Sequence, residues 1–129
     1  MRVADAAQEG ADLDARLTRL RAALPDLQGV ALTTRSGLLL AADVAEGTDA
    51  HALAALGADL LASSESVARG LAGGEPREAT VRGAGAHVIV LAAGEGAALV
   101  AITDALTPAG SVLPDLREAA RELAEALAG

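Results

Sequence analysis

The chain has 129 residues, the size of one domain, and sets 18 acidic against 10 basic residues for a net charge of −8. That balance argues against a nucleic-acid ligand, because a phosphate backbone is met by clustered cations. Cysteine is absent, which removes disulfides, thiolate nucleophiles and cysteine-rich zinc sites.

Residue usage is narrow. Phe, Tyr, Trp, Lys and Asn are missing too, and every basic residue is Arg. A GC-rich genome accounts for this bias better than any function does. It still has physical consequences. The core must come from Leu, Val and Ala, so its elements have to approach closely. An interface lacks the Trp and Tyr anchors and keeps only Arg, which favours broad, shallow binding surfaces. Residues 1–12 have no apolar segment of the signal-peptide kind. The longest apolar stretch, Ala86 to Ile102, is broken by Gly94-Glu95-Gly96 and is too short to span a bilayer. The expected compartment is the cytoplasm.

The first periodic segment, Leu13, Leu17, Leu20 and Leu24, predicts a helix with Asp12 as its N-cap and Pro25-Asp26 as its stop. Residues 1–11 are then an N-terminal extension to a domain over 12–128. Val30 to Thr34 and Leu38 to Ala42 read as strands joined by a tight turn at Arg35-Ser36-Gly37. The longest helix is predicted from Asp49 to Ala72, with a buried stripe of Leu53, Leu56, Leu60, Val67 and Leu71 flanked by Leu61. Gly73-Gly74 ends it. Three strands follow, Arg77–Arg82, Ala86–Ala92 and Ala97–Thr103, joined by short Gly turns. Leu113, Leu116, Ala120, Leu123 and Leu127 predict a last helix starting at Ser111 or Val112, which places Pro114 in its first turn.

This is an α/β domain, an α+β sandwich in the order α-β-β-α-β-β-β-α. The strands Ala86–Ala92 and Ala97–Thr103 are apolar on both faces, so both are central and covered on both sides. In Arg77–Arg82, Glu78, Thr80 and Arg82 alternate with Ala79 and Val81, the pattern of an edge strand. Its charges have two readings. They can guard the edge against other chains, or they can pair two copies, Glu78 opposite Arg82 across a two-fold axis. Glu78, Thr80, Val81 and Arg82 are the candidate dimer interface.

Catalytic motifs are missing. A phosphate-binding loop needs Lys, and there is none. The two G-x-G stretches lie between strands and lack the third Gly and following helix of a dinucleotide fingerprint. His51 and His87 have no paired spacing for a metal. Asp115, Glu118, Glu122 and Glu125 interleave with Arg117 and Arg121 as on a solvated helix face. No catalytic residue, cofactor or metal is expected. The other feature of the long helix is a small, flat face of Ala52, Ala55, Ala58, Asp59, Ala62, Ser63 and Ser66. It reads either as composition bias, since such residues are tolerable helix formers, or as a surface that another backbone can approach.

The ordered elements resemble the Roadblock family of dynein light chains and bacterial GTPase regulators, in the branch of mutual gliding-motility protein B. The resemblance rests on Leu27-Gln28-Gly29-Val30-Ala31-Leu32, Ser36-Gly37-Leu38-Leu39-Leu40-Ala41 and Leu53-Ala54-Ala55-Leu56-Gly57-Ala58. It rests also on Gly74-Glu75-Pro76-Arg77-Glu78-Ala79-Thr80-Val81 and on the run from Gly96 to Asp104. It covers about residues 12–128. It implies a profilin-like Roadblock fold with a five-stranded antiparallel sheet in the order 2-1-5-4-3, the long helix on one face and the terminal helices on the other. It also implies a homodimer through the third strand and the long helix, which favours pairing between Glu78 and Arg82. The expected function is regulation of a small Ras-like GTPase in a bacterial cytoplasm, by contact and without an arginine finger. The expected contact residues are Ala55, Asp59, Ala62, Ser63, Ser66 and Arg69. The alternative is a structural adaptor of the light-chain type with no effect on hydrolysis. A weaker alternative is a small-ligand sensor, which would need an enclosed cavity with convergent polar groups.

Overall fold

The computed structural model describes residues 3–71, 73–75 and 77–128, with side chains from residue 10 onward. Its elements are α1 (Val3–Ala23), β1 (Leu27–Thr34), β2 (Leu39–Val44), α2 (Ala50–Gly70), β3 (Glu78–Arg82), β4 (Ala86–Ala93), β5 (Ala97–Asp104) and α3 (Ala109–Ala128). The strands form one antiparallel sheet in the order β2-β1-β5-β4-β3. The sequence expectation holds for both the element order and the strand order.

Alternation along the strands sends side chains to two cores. Val30, Leu32, Ile89, Leu91 and Leu99 join Leu17 of α1 and Leu116 and Leu123 of α3 on one face. Ala31, Val90, Ala98 and Val100 meet Leu53 and Leu61 of α2 on the other. β4 and β5 are covered on both sides, as their two-faced apolar pattern requires.

Asp49 caps α2, its Oδ1 accepting the Ala52 N–H at 3.1 Å. The helix runs to Gly70 with Leu71 as its C-cap. The predicted end, Ala72, lies outside the described residues. The Gly73 N–H closes the terminus on the Ala68 carbonyl at 2.7 Å, and Gly74 turns the chain away at φ +77°.

The face that α2 buries differs from the predicted stripe. Leu53 and Leu61 are buried, but Leu56 is 65% exposed, Val67 62% and Leu71 79%, and Leu60 is half-buried. Ala54, Gly57 and Ala58 occupy the inward face; Ala58 therefore leaves the small, open face to which its spacing had assigned it. The cause is how low the helix sits. A Cβ on Gly57 would lie 3.0 Å from Val100 Cβ, closer than side chains pack, so no side chain fits at that point beneath α2, and the leucines it buries, Leu53 and Leu61, lie one turn to either side. Leu56 and Val67 are left on its flank.

Other boundaries move as well. α1 begins at Val3, not at Asp12, because the Ala-rich stretch before Asp12 is itself a good helix former. β1 begins at Leu27 and β2 extends to Val44. Between them, Gly29 is required by close approach: a Cβ there would meet Val44 Cγ1 at 2.8 Å. α3 begins at Ala109, so Pro114 lies inside the helix and not in its first turn. The carbonyl it leaves without an N–H belongs to Gly110, which is exposed and can turn to water.

Candidate functional site

The two edges of the sheet are not equivalent. Along β2 the edge is tied to α1. The Ala42 N–H donates to Asp14 Oδ1 at 3.2 Å, and Arg21 Nη1 donates to Asp43 Oδ1 at 3.0 Å while its Nε reaches the Leu27 carbonyl at 3.2 Å. Along β3 the edge is open. Arg77 and Gly83 bracket the strand and both bond to β4, through Ala92 N–H to Arg77 O and Gly83 N–H to Ala86 O, each at 2.8 Å. In an antiparallel ladder the bonded positions alternate, so Ala79 and Val81 also face β4. The backbone groups of Glu78, Thr80 and Arg82 point outward.

Beside that open edge lies the displaced apolar flank. Val81, 49% exposed, is paired with Val88, and Val88, Ile102 and Leu60 are only partly buried on the α2 side of the sheet. Leu56 and Val67 continue the apolar surface along α2. Sequence reasoning missed this flank. The available signal was that Leu56, Leu60 and Val67 form a second set at helical spacing, offset from Leu53, Gly57 and Leu61.

Glu78 faces α3, where Arg117 holds it in a fork, with Nε to Oε2 at 2.9 Å and Nη2 to Oε1 at 2.5 Å. These bonds hold the Glu78 carboxyl below the usual carboxylate range. Thr80 and Arg82 are exposed. Arg117 was expected to pair within its own helix; instead Arg121 alone makes the in-helix pairs, with Glu118 and Glu125.

Ala55, Asp59, Ala62, Ser63, Ser66 and Arg69 are all exposed on α2. Ala62 and Arg69 also line a cleft of about 790 Å³ between α2, the β1–β2 turn, the β4–β5 turn and the start of β3. A chain of charges crosses it. Arg35 Nη1 donates to Glu65 at 2.7 Å, Arg35 Nη2 to the Gly94 carbonyl at 2.8 Å, and Arg69 lies 3.8 Å from Glu65 and 3.0 Å from Glu75. Arg69 is thus already engaged, its guanidinium pKa raised first by the hydrogen bond to Glu75. The cleft is open to solvent, unlike the enclosed cavity that a small-ligand sensor would need.

The two imidazoles lie on different sides of the sheet. His51 is exposed on α2, and His87 is buried on β4 with Nδ1 lacking a hydrogen-bond partner. Among the described residues no group of three or more His, Asp or Glu is placed to hold a metal ion, and no helix is long and apolar enough to cross a membrane.

None of the curated protein sequences matches the chain. The profile of the Roadblock/LC7 domain matches residues 13–103. Among solved structures, MglB of Myxococcus xanthus superposes with a TM-score of 0.81 at 24% identity, covering 92% of this chain and 89% of that one. The gliding protein MglB of Thermus thermophilus superposes with a TM-score of 0.74 at 26% identity, over 88% of this chain and 89% of that one. A Schizosaccharomyces pombe profilin shares the fold at a TM-score of 0.62 and 16% identity, over 85% and 94% of the two chains. The chain belongs to the Roadblock/LC7 family, and MglB proteins of Myxococcus and Thermus are among its structural relatives.

Proposed function

We propose that the chain pairs with a second copy through β3 and the apolar flank of α2, and that the dimer regulates a small Ras-like GTPase in the bacterial cytoplasm without chemistry of its own. The observation that carries this reading is the juxtaposition of one open strand edge with an exposed apolar flank. Outward backbone groups at Glu78, Thr80 and Arg82 can extend the ladder to a second β3. A two-fold axis at Thr80 then sets Glu78 opposite Arg82 of the other copy. Leu56, Leu60, Val67 and Val81 supply the apolar area that strand pairing alone lacks. Likeness to MglB supports the regulatory half of the reading.

The GTPase would sit on the small face of α2, at Ala55, Asp59, Ala62, Ser63, Ser66 and Arg69, within the domain over 12–128. The side chains there are short enough for a partner loop to approach the helix. Binding favours the GTP-loaded form because the γ-phosphate orders the switch loops and so creates the surface to be read. The test is calorimetric titration of wild type and Ala62→Arg against the GTPase encoded nearest in the genome, in both nucleotide states. Wild type should prefer the GTP form, and Ala62→Arg should lower affinity more than about tenfold, roughly 1.4 kcal/mol. Equal affinity for the two states removes switch reading, and undiminished binding by the variant puts the structural-adaptor reading ahead. Turnover measured in the same samples distinguishes a GTPase activator from a scaffold.

A further inference from the structure

We propose that the groove between α1 and α3, on the side of the sheet away from α2, is the docking site for a single amphipathic helix of a partner protein. α1 packs over β2 and β1 and α3 over β4 and β5, so the two helices stand apart and leave a groove of about 290 Å³ between them. Its floor is apolar. Leu17 and Leu123 are buried in it, and Leu20, Leu24 and Ala119 are partly exposed to it. Its rims carry opposite charge, Arg16 and Arg19 on α1 against Asp115, Glu118 and Glu122 on α3.

Among the described residues no ion pair crosses the groove. Glu118 pairs with Arg121 of its own helix, and among the described residues Arg16, Arg19, Asp115 and Glu122 have no opposite charge within 4.0 Å. An apolar channel with unlike, unpaired rims is complementary to a helix whose apolar stripe is flanked by acidic residues on one edge and basic residues on the other. The acidic edge lies along Arg16 and Arg19, the basic edge along Asp115 and Glu122. Reversing such a helix in the groove exchanges its edges, so the order of charges fixes its direction.

A second copy of this chain fits less well. Groove would face groove and double the void, whereas a convex helix fills it. The groove lies on the opposite side of the sheet from the face proposed for the GTPase, so the inference stands apart from that reading.

The probe is a helical peptide of about five turns, with Leu at i, i+3, i+4 and i+7, Glu along one edge and Arg along the other. The control is the same composition scrambled to remove the stripe. Titrated into the 129-residue chain, the patterned peptide should bind at least about tenfold tighter than the scrambled one. Reversing the α1 rim, Arg16→Glu with Arg19→Glu, should weaken it by a similar factor and improve binding of a peptide with Arg on both edges. Far-UV circular dichroism of that variant should match wild type, since both positions are exposed. A nitroxide at the peptide N-terminus should broaden resonances at one end of the groove, and an edge-swapped peptide should broaden the other end. Equal binding of patterned and scrambled peptides, indifference to the rim reversal, or broadening on the α2 face overturns the proposal. Self-association that depends on Arg16 and Arg19 overturns it too, by making the occupant a second copy.

Discussion

Gly57 on α2 faces Val100 on β5 so closely that a Cβ at position 57 would lie 2.7 Å from Val100 Cγ1. Replacing a helical glycine by alanine ordinarily gains up to about 1 kcal/mol. Here overpacking should dominate. Gly57→Ala is expected to destabilise the fold by about 1–3 kcal/mol in urea titrations. Adding Val100→Ala should recover part of that loss, and a double-mutant cycle reads the coupling directly. Additive effects of the two changes would mean that the helix lifts off the sheet at no cost.

Backbone polarity along β3 separates two neighbouring prolines. Thr80→Pro removes an N–H that points outward, so the isolated chain should keep its fold while pairing along the edge weakens. Val81→Pro removes an N–H directed at β4 and should also lower the stability of the chain itself. Sedimentation equilibrium combined with thermal unfolding distinguishes them. If Thr80→Pro leaves self-association unchanged, the β3 edge is not where copies meet.

The displaced leucines give a second handle on pairing. Leu56→Glu together with Val67→Arg adds charge to positions that are mostly solvent in the isolated chain. Each should change folding stability by no more than about 0.5 kcal/mol, yet the pair should weaken self-association by more than about tenfold, roughly 1.4 kcal/mol. A large loss of stability in the monomer would place these side chains in the core after all.

Acid should loosen two anchors. Arg117 holds Glu78 ionised, and hydrogen bonds from Thr107 and Leu106 hold Asp104 ionised, so both carboxyls titrate below their ordinary values when folded. A carboxyl with a lowered folded pKa contributes stability that is complete above its unfolded pKa and is lost as pH falls through the folded value. Stability should therefore fall on acidification below the ordinary carboxylate range near about 4. Glu78→Gln should flatten part of that fall, as measured by unfolding midpoints across pH. The effect will be small, because both partners of the fork reach solvent.

Much of the architecture was legible because strand faces alternate without ambiguity. Ile89 and Leu91 against Val88 and Val90 required cover on both sides, and Glu78, Thr80 and Arg82 required an edge; the sheet has both. The burial of α2 was not legible. Counting leucines favoured Leu56 and Val67 for the core, while the close seat of Gly57 over Val100 is a tertiary fact that no local spacing encodes. Asp12 misled in a similar way, since a residue with strong capping preference also sits tolerably inside a helix when good helix formers precede it. The charge chain from Arg35 through Glu65 and Arg69 to Glu75 joins segments distant in sequence, and only folding brings them together.

The contacts of Asp14 and Arg21 with β2 bear on how far an assembly of this sheet could grow. A sheet that accepts strands at both ends is a polymerisation unit; one that accepts at a single end is a chain terminator. Whatever strand joins at β3, the far end of the sheet remains occupied by helix α1, and addition by strand pairing stops after one step. Alanine at Asp14, which has no acceptor, would leave the Ala42 N–H without its partner and convert a self-limiting unit into a potential monomer of a fibre.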